Sequence, residues 1–170
     1  MVYGSDSARA DWLRTGAGGR LKTSAGDLLP FNTGGFPNAN PVGADPASLF
    51  LAGDVRANEQ VGLTCMHTLF MREHNRIADE LSIANPSWGD DKLYQHARLL
   101  VGSLIQQLSF DEFLPALVGP GRVPDYTGYD PSVSPDIRAE FSTGAYRVGH
   151  TMINPFLARL GEDGQPIAQG

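Results

Sequence analysis

The stretch VGLTCMHTLFMREHNRIADELSIA, residues 61–84, repeats apolar side chains and one histidine at steps of three and four. This is the spacing of one face of an α-helix. The recurring positions are Leu63, Met66, Phe70, His74, Ile77 and Leu81. Asn85-Pro86 follows, and proline cannot continue a helix because its nitrogen carries no hydrogen. We predict a helix over 61–84, with Asn58 as its N-terminal cap.

Two more helices are predicted downstream. Residues 90–109 place apolar side chains on one face, behind Asp90 or Asp91 as the cap. The apolar positions are Leu93, Ala97, Leu100, Leu104 and Leu108. Ser134-Pro135 suits a helix start, which predicts a third helix over 134–155. No segment alternates apolar and polar residues as a strand does, so the chain is predicted to be mainly α.

Upstream of the first helix, residues 1–55 are rich in glycine and proline and predict a long irregular region. A stretch of this length without regular structure is uncommon in a compact domain unless it is functional or lies over a larger body. We therefore expect further segments to complete the domain.

Composition excludes several function classes. The formal net charge is -6, and the 13 Lys and Arg residues are scattered, which argues against a nucleic-acid-binding face. No window approaches the roughly 20 apolar residues of a membrane-spanning helix. Cys65 is the single cysteine, so internal disulfides and multi-cysteine zinc sites are excluded, and a buried thiol is expected. No signal peptide is recognisable at the start, and the sequence leaves the compartment open.

The histidines of the first helix do not form a zinc motif. Helical zinc motifs need two imidazoles one turn apart, but His67 and His74 are seven residues apart. We predict that His74 is a hydrogen-bonded core histidine, because it lies on the apolar face. His96 on the second helix has no acidic or thiol partner at helical spacing and is predicted to be a surface or packing residue.

Two short segments could carry chemistry. Arg147 and His150 are three residues apart and project from one helical face, and Gly149 lets a flat ligand approach. A neutral imidazole can hold iron, and a guanidinium can pair with a carboxylate. In the earlier segment, Arg56 and Glu59 also fit a solvated loop and a helix N-terminus. By spacing alone, ordinary structural roles stay open for all four.

Taken in order, several motifs resemble the animal-type haem peroxidases of the peroxidase-cyclooxygenase superfamily. They are VYGS at 2–5, LFLAGDVRANE at 49–59, MHTLFMREHNR at 66–76, LYQHAR at 93–98, FLP at 113–115 and FSTGAYRVGHT at 141–151. The resemblance covers nearly the whole chain. It implies that residues 1–170 are part of one haem peroxidase catalytic domain, with 56–84 on the distal side and the proximal histidine in 134–155.

The resemblance implies a role for each candidate residue. His150 would be the proximal ligand of the iron of haem b, and Arg147 would pair with a haem propionate. Arg56 would be the distal arginine, which polarises hydrogen peroxide and stabilises charge as the oxygen-oxygen bond breaks. Glu59 would form an ester with a haem methyl group. Gln60 stands where some members carry a haem-bonded methionine, so no sulfonium link is expected.

Other parts of the family's site have no counterpart here. The distal histidine, a haem-linking aspartate and the calcium loop are expected upstream, and the asparagine that orients the proximal histidine is expected downstream. The resemblance therefore predicts an internal fragment with poor peroxide turnover by itself. It also implies a secreted parent, and the single cysteine departs from the disulfide-bearing mammalian members, as in a bacterial branch.

Three functions are weighed. The first is haem-dependent reduction of hydrogen peroxide, with oxidation of a halide or small organic donor. The second is fatty-acid dioxygenation, which in this superfamily uses a tyrosine three residues before the proximal histidine. That position is Arg147, and Tyr146 points about 100° away around a helix. The third is a haem-free helical remnant that packs against or binds a partner.

Overall fold

The computed structural model describes residues 2–40, 43–156 and 158–167. The chain divides into two compact units, Met1–Pro124 and Asp125–Gly170. Four α-helices lie in the first unit: α1 (Ser7–Leu13), α2 (Val61–Ala84), α3 (Asp90–Gln107) and α4 (Leu114–Val118). The second unit contains α5 (Ala139–Thr143) and a 3₁₀ helix, Ala145–Met152. The described residues form only isolated β-bridges and no strand, which confirms the mainly α fold class. In these same ranges, every helix is too short or too polar to cross a membrane.

Helix α2 spans the predicted residues, but its cap differs from the prediction. The side chain of Gln60 caps the helix, because its Oε1 accepts a hydrogen bond from the Leu63 N–H at 2.8 Å. Asn58 instead bonds to both backbone groups of Phe50 and ties the preceding turn to the loop. The prediction of Asn58 as the cap was wrong because that amide is used in a tertiary contact.

The buried face of α2 is rotated from the predicted one. The buried side chains are His67, Met71, His74, Asn75, Ile77 and Ala78. Met66, from the predicted apolar face, is 50% exposed. The loops of the N-terminal region pack on one side of α2 and α3 packs on another, so the face with Met66 remains open. Cys65 is exposed on α2, which corrects the expectation of a buried thiol.

Helix α3 packs against α2 through small and β-branched side chains, with Ile77 and Ala78 of α2 facing Ala97 and Val101 of α3. Leu93, Tyr94, Ala97 and Val101 are its buried residues, while the predicted Leu100 is 47% exposed. A π-helix over Leu108–Phe113 then leads into α4. The N-terminal cap is Gly89 rather than Asp90 or Asp91, because both carboxylates bind Arg14 and Asp90 also accepts the Gly19 N–H.

The N-terminal region is irregular, as predicted, apart from α1 and a 3₁₀ turn at Pro46–Ser48; residues 1, 41 and 42 lie outside the described part. In this region, side chains rather than neighbouring strands form hydrogen bonds with the backbone N–H and carbonyl groups. Asn75 of α2 bonds both to the N–H and to the carbonyl of Leu21, at 2.7 and 3.0 Å. Buried Arg9 donates to the carbonyls of Ala52 and Pro37. Buried backbone groups must be paired, and these contacts meet that requirement.

His74 is fully buried at the centre of this packing. Its Nε2 donates to the Gly19 carbonyl at 2.8 Å, so Nδ1 is free to accept from the Tyr3 hydroxyl at 3.0 Å. The imidazole also packs edge-on against the rings of Tyr3 and Tyr94. The prediction of a hydrogen-bonded core histidine is confirmed. His96 is half-buried against Trp88, as a packing residue.

The predicted helix over 134–155 is wrong in extent. Residues 134–138 are not helical, α5 covers only Ala139–Thr143, and Gly144 separates it from the 3₁₀ helix Ala145–Met152. Glycine is a poor helix former, and short helices depend on packing for stability. No described residue of this unit is buried, so packing does not overcome the interruption.

We expect His74→Ala to lower the free energy of unfolding by about 2–4 kcal/mol, because it leaves a cavity and deprives the Tyr3 hydroxyl and the Gly19 carbonyl of their partner. Urea unfolding measures this. His96→Ala, at a half-buried site, is the control and should cost well under that amount. Equal losses in the two variants would contradict the assigned role of His74.

Burial lowers the pKa of His74 below its ordinary value of 6.5. The unfolded chain therefore binds more protons below pH 6.5, and stability should decrease as pH falls from there. Burial lowers the pKa of His67 as well, so part of the decrease should remain in His74→Ala. Urea unfolding between about pH 7 and pH 5 measures the slopes. An equal slope in wild type and His74→Ala would exclude this contribution.

Candidate functional site

An open cavity of about 380 Å³ lies beside the first half of α2. Its size falls within the roughly 300–1,000 Å³ typical of small-molecule and cofactor sites. The apolar lining comes from Val2, Leu63, Met66, Phe70 and Ile105, and the polar lining from Asp54, Arg56, Glu59 and His67. The cavity thus combines an apolar wall with a small group of charged and titratable side chains.

The apolar wall is the open face of α2. Leu63, Met66 and Phe70 are three and four residues apart and so lie along one side of the helix. The apolar periodicity predicted that these three side chains face the protein core, but in the structure they line the cavity. Ile105 of α3 and Val2 of the N-terminal segment complete the wall. Such a surface suits a flat apolar molecule better than a charged one.

Arg56 enters the cavity from a tight turn that precedes α2. Asp54 accepts hydrogen bonds from the Arg56 backbone N–H at 2.9 Å and from its Nε and Nη2 at 3.2 and 3.0 Å. The Arg56 side chain is 57% exposed, whereas that of Asp54 is 5% exposed. The guanidinium holds the pKa of Asp54 below its usual value. Arg56 is therefore held by a buried carboxylate and remains accessible.

Glu59 lies in the same turn, and its backbone N–H donates to the Arg56 carbonyl at 2.9 Å. The side chain is exposed, and its carboxylate has no hydrogen bond or ion pair within the described ranges. Arg56 and Glu59, predicted separately as site residues, are thus brought to one cavity. The Glu59 carboxylate is therefore accessible to a ligand bound at the apolar wall.

Two cavity residues were missed by the reasoning from sequence. His67 is 7% exposed and was considered only as a zinc ligand. Burial lowers its pKa, and the neighbouring Asp54 opposes that effect. Asp54 was not singled out, although an aspartate two residues before an arginine is a turn signal that can place the two side chains together.

Arg147 and His150 lie in the second unit, on the 3₁₀ helix Ala145–Met152. Because side chains three residues apart eclipse in a 3₁₀ helix, both project from one side, as their spacing predicted. Both are exposed, and neither has a side-chain hydrogen bond or ion pair in the described part of the chain. A Cβ added to Gly149 would meet no heavy atom within 4 Å. Their donor and ligand groups are therefore accessible.

The residues present fit a haem group. In the first unit, an apolar wall lies next to a cation and a carboxylate that has no protein partner among the described bonds. In the second, an accessible imidazole and a guanidinium share one side of a helix. Imidazole is a common protein ligand of haem iron, and guanidinium groups pair well with carboxylates such as propionates.

Comparisons with known proteins agree on one family. The model of the animal haem peroxidase family matches residues 1–169. Peroxidasin of Drosophila melanogaster is 44% identical over 182 residues, which cover 100% of this chain and 12% of the relative. Peroxidase A of Dictyostelium discoideum aligns in structure with a TM-score of 0.90 at 35% identity. That alignment covers 98% of this chain and 33% of the amoebal one, so the chain spans only a minor part of either relative.

A fatty acid alpha-dioxygenase of Arabidopsis thaliana is a more distant structural neighbour. Its TM-score is 0.57 at 29% identity, and the alignment covers 69% of this chain and 16% of that one.

Proposed function

The chain belongs to the animal haem peroxidase family, and we propose that it contributes to a haem-dependent reduction of hydrogen peroxide with oxidation of a halide or small organic donor. The observation that carries this proposal is the apolar cavity with Arg56 and Glu59 at its edge. By the resemblance, both residues match positions of the family's motif, and both line this cavity.

Haem b, when bound, supplies the redox chemistry that protein side chains lack. Under the proposal, His150 would be the proximal ligand of the haem iron through its imidazole. Arg147, three residues before His150 on the same side of the 3₁₀ helix, would pair with a haem propionate.

Arg56 acts on the peroxide. A guanidinium has five N–H donors, and two of them, on Nε and Nη2, bind Asp54. Three donors remain for an oxygen ligand. They polarise peroxide and stabilise the negative charge that develops on the departing oxygen. The charge is permanent, because the guanidinium stays protonated at every physiological pH.

Glu59 is proposed to form an ester with a haem methyl group, which its accessible carboxylate permits. The new C–O bond would replace one C–H bond of the methyl group, and the substrate hydrogen peroxide would accept the two electrons and leave as water. Gln60 caps α2 with its amide, and the expectation that it forms no sulfonium link rests on the resemblance. Calcium binding remains an expectation from the resemblance, with no ligand assigned to this chain. Secretion and a bacterial branch likewise remain expectations.

The fatty-acid dioxygenase alternative is less well supported. Its catalytic tyrosine would occupy the position of Arg147, and the structural similarity to a dioxygenase is much lower than that to the peroxidase. The haem-free remnant remains the alternative from another class, and a haem titration separates it from the proposal.

We expect haem added to the protein to shift the Soret band, and we expect the shift to disappear in His150→Ala because the iron loses its imidazole ligand. Absorption spectroscopy measures the shift. His96→Ala is the matched control, since His96 packs on Trp88 and does not line the cavity, so this variant should leave the spectrum unchanged. A spectrum indifferent to His150→Ala would favour the haem-free remnant.

Glu59→Gln should abolish the covalent link through this residue, because an amide cannot form the ester. After incubation with haem and peroxide, acidified organic solvent should extract more haem from this variant than from wild type. Mass spectrometry of the peptide with residue 59 checks the adduct. Glu73→Gln is the control, because Glu73 is paired with Arg76 and does not line the cavity. Haem that extracts completely from the wild type would contradict the proposed ester.

A further inference from the structure

We propose that Asp54 is a positioning residue that sets the orientation of the Arg56 guanidinium in the cavity. The proposal rests on the proposed function, since it concerns the residue assigned to polarise peroxide. It concerns contacts that lie wholly within the first unit.

The contact uses both carboxylate oxygens. Asp54 Oδ1 accepts from the Arg56 backbone N–H at 2.9 Å and from Nε at 3.2 Å, while Oδ2 accepts from Nη2 at 3.0 Å. Two parallel bonds between a planar fork and a planar carboxylate fix the plane of the guanidinium as well as its position. A single bond would leave the plane free to rotate.

The difference in burial identifies which partner holds the other. The Asp54 side chain is 5% exposed and is fixed in the cavity wall, whereas the Arg56 side chain is 57% exposed. An exposed arginine by itself samples many rotamers, and ordering it during a reaction costs free energy. Because Asp54 orders the guanidinium in advance, that cost does not arise when an oxygen ligand binds.

The contact with Asp54 leaves part of the guanidinium free to bind a ligand. The bonds to Asp54 occupy one edge of the guanidinium, formed by Nε and one hydrogen of Nη2. The end of the guanidinium, formed by one hydrogen of Nη1 and the second hydrogen of Nη2, has no partner among the described hydrogen bonds. Two N–H groups on one edge match an anionic oxygen ligand.

A purely structural role for Asp54 is the competing explanation, because its Oδ1 also closes the turn before α2. Asp45 provides a matched control. Its carboxylate accepts from the backbone N–H two residues ahead, at Ala47, and so makes the same turn bond, but it has no arginine partner in the described bonds.

Two substitutions at Asp54 separate the turn bond from the contact with Arg56. Asp54→Asn keeps an oxygen that can accept the turn bond but loses the negative charge. Asp54→Ser keeps only the turn bond.

The first measurement needs no haem. In NMR spectra of the protein, hydrogen exchange of the Arg56 Nε–H should be about tenfold faster in Asp54→Asn than in wild type, as expected for loss of about 1.4 kcal/mol from a charge-assisted hydrogen bond. Asp54→Ser should behave in the same way, and Asp45→Asn should match wild type. Circular dichroism confirms that each variant remains folded. Unchanged exchange in both Asp54 variants would overturn the proposal.

The second measurement uses the haem-loaded protein with fluoride as the anionic ligand of the iron. Asp54→Asn should weaken fluoride binding by about tenfold, again the equivalent of one charge-assisted hydrogen bond. In an Arg56→Lys background, the same substitution should have little further effect, because the lysine has no fork to orient. A full additional loss in that background would show that Asp54 acts through the fold and would overturn the proposal.

The two measurements separate this proposal from the proposed function. If the wild-type protein takes up no haem, the proposed function fails. The exchange rates of the haem-free protein still decide whether Asp54 orients Arg56.

Discussion

Polar side chains of α2 hold the N-terminal region in place, and the rest of the first unit depends on this tether. The first 55 residues have little regular secondary structure to pair their backbone groups. His74 and Asn75 supply the missing partners, through bonds to Tyr3, Gly19 and Leu21. The bonds to Gly19 and Leu21 are buried, so losing one of them would cost the desolvation of the partner left unpaired. A region that looks like loop in the sequence therefore behaves as part of the packed body.

The cavity is a consequence of this arrangement. Val2 and the turn with Asp54, Arg56 and Glu59 come from the tethered region, while Leu63, Met66 and Phe70 come from the rigid helix. Reactive groups on loops, supported by a rigid element, are the common design of binding sites. Arg9 helps to fix the turn with Asp54 and Arg56. Its buried guanidinium donates a hydrogen bond to the carbonyl of Ala52, two residues before Asp54. Through these contacts, the loop presents a cation and a carboxylate at fixed places beside an apolar wall.

Unlike the first unit, the second unit has no buried residue in its described part. Its helices are short, its described side chains are exposed, and its candidate residues Arg147 and His150 are accessible. The match to the animal haem peroxidase family extends over residues 1–169 and so includes the segment with these two residues. The chain spans 33% of the Dictyostelium peroxidase, so the remaining contacts of such a segment can come from parts of a larger domain.

The sequence by itself determined the bounds of α2, the mainly α class, the core role of His74 and, through separated motifs, the family. These properties follow from local periodicity, from proline as a helix terminator, and from the order of the motifs, all of which are features of the sequence alone. Tertiary structure decided which face of α2 is buried, that Gln60 rather than Asn58 is the cap and that Cys65 is exposed. It also decided that two short helices replace the single helix predicted over 134–155. It also revealed that the Asp54 carboxylate binds the Arg56 guanidinium. Each of these depends on which segments pack together, and periodicity shows that a face is apolar without showing whether protein or an open cavity lies against it.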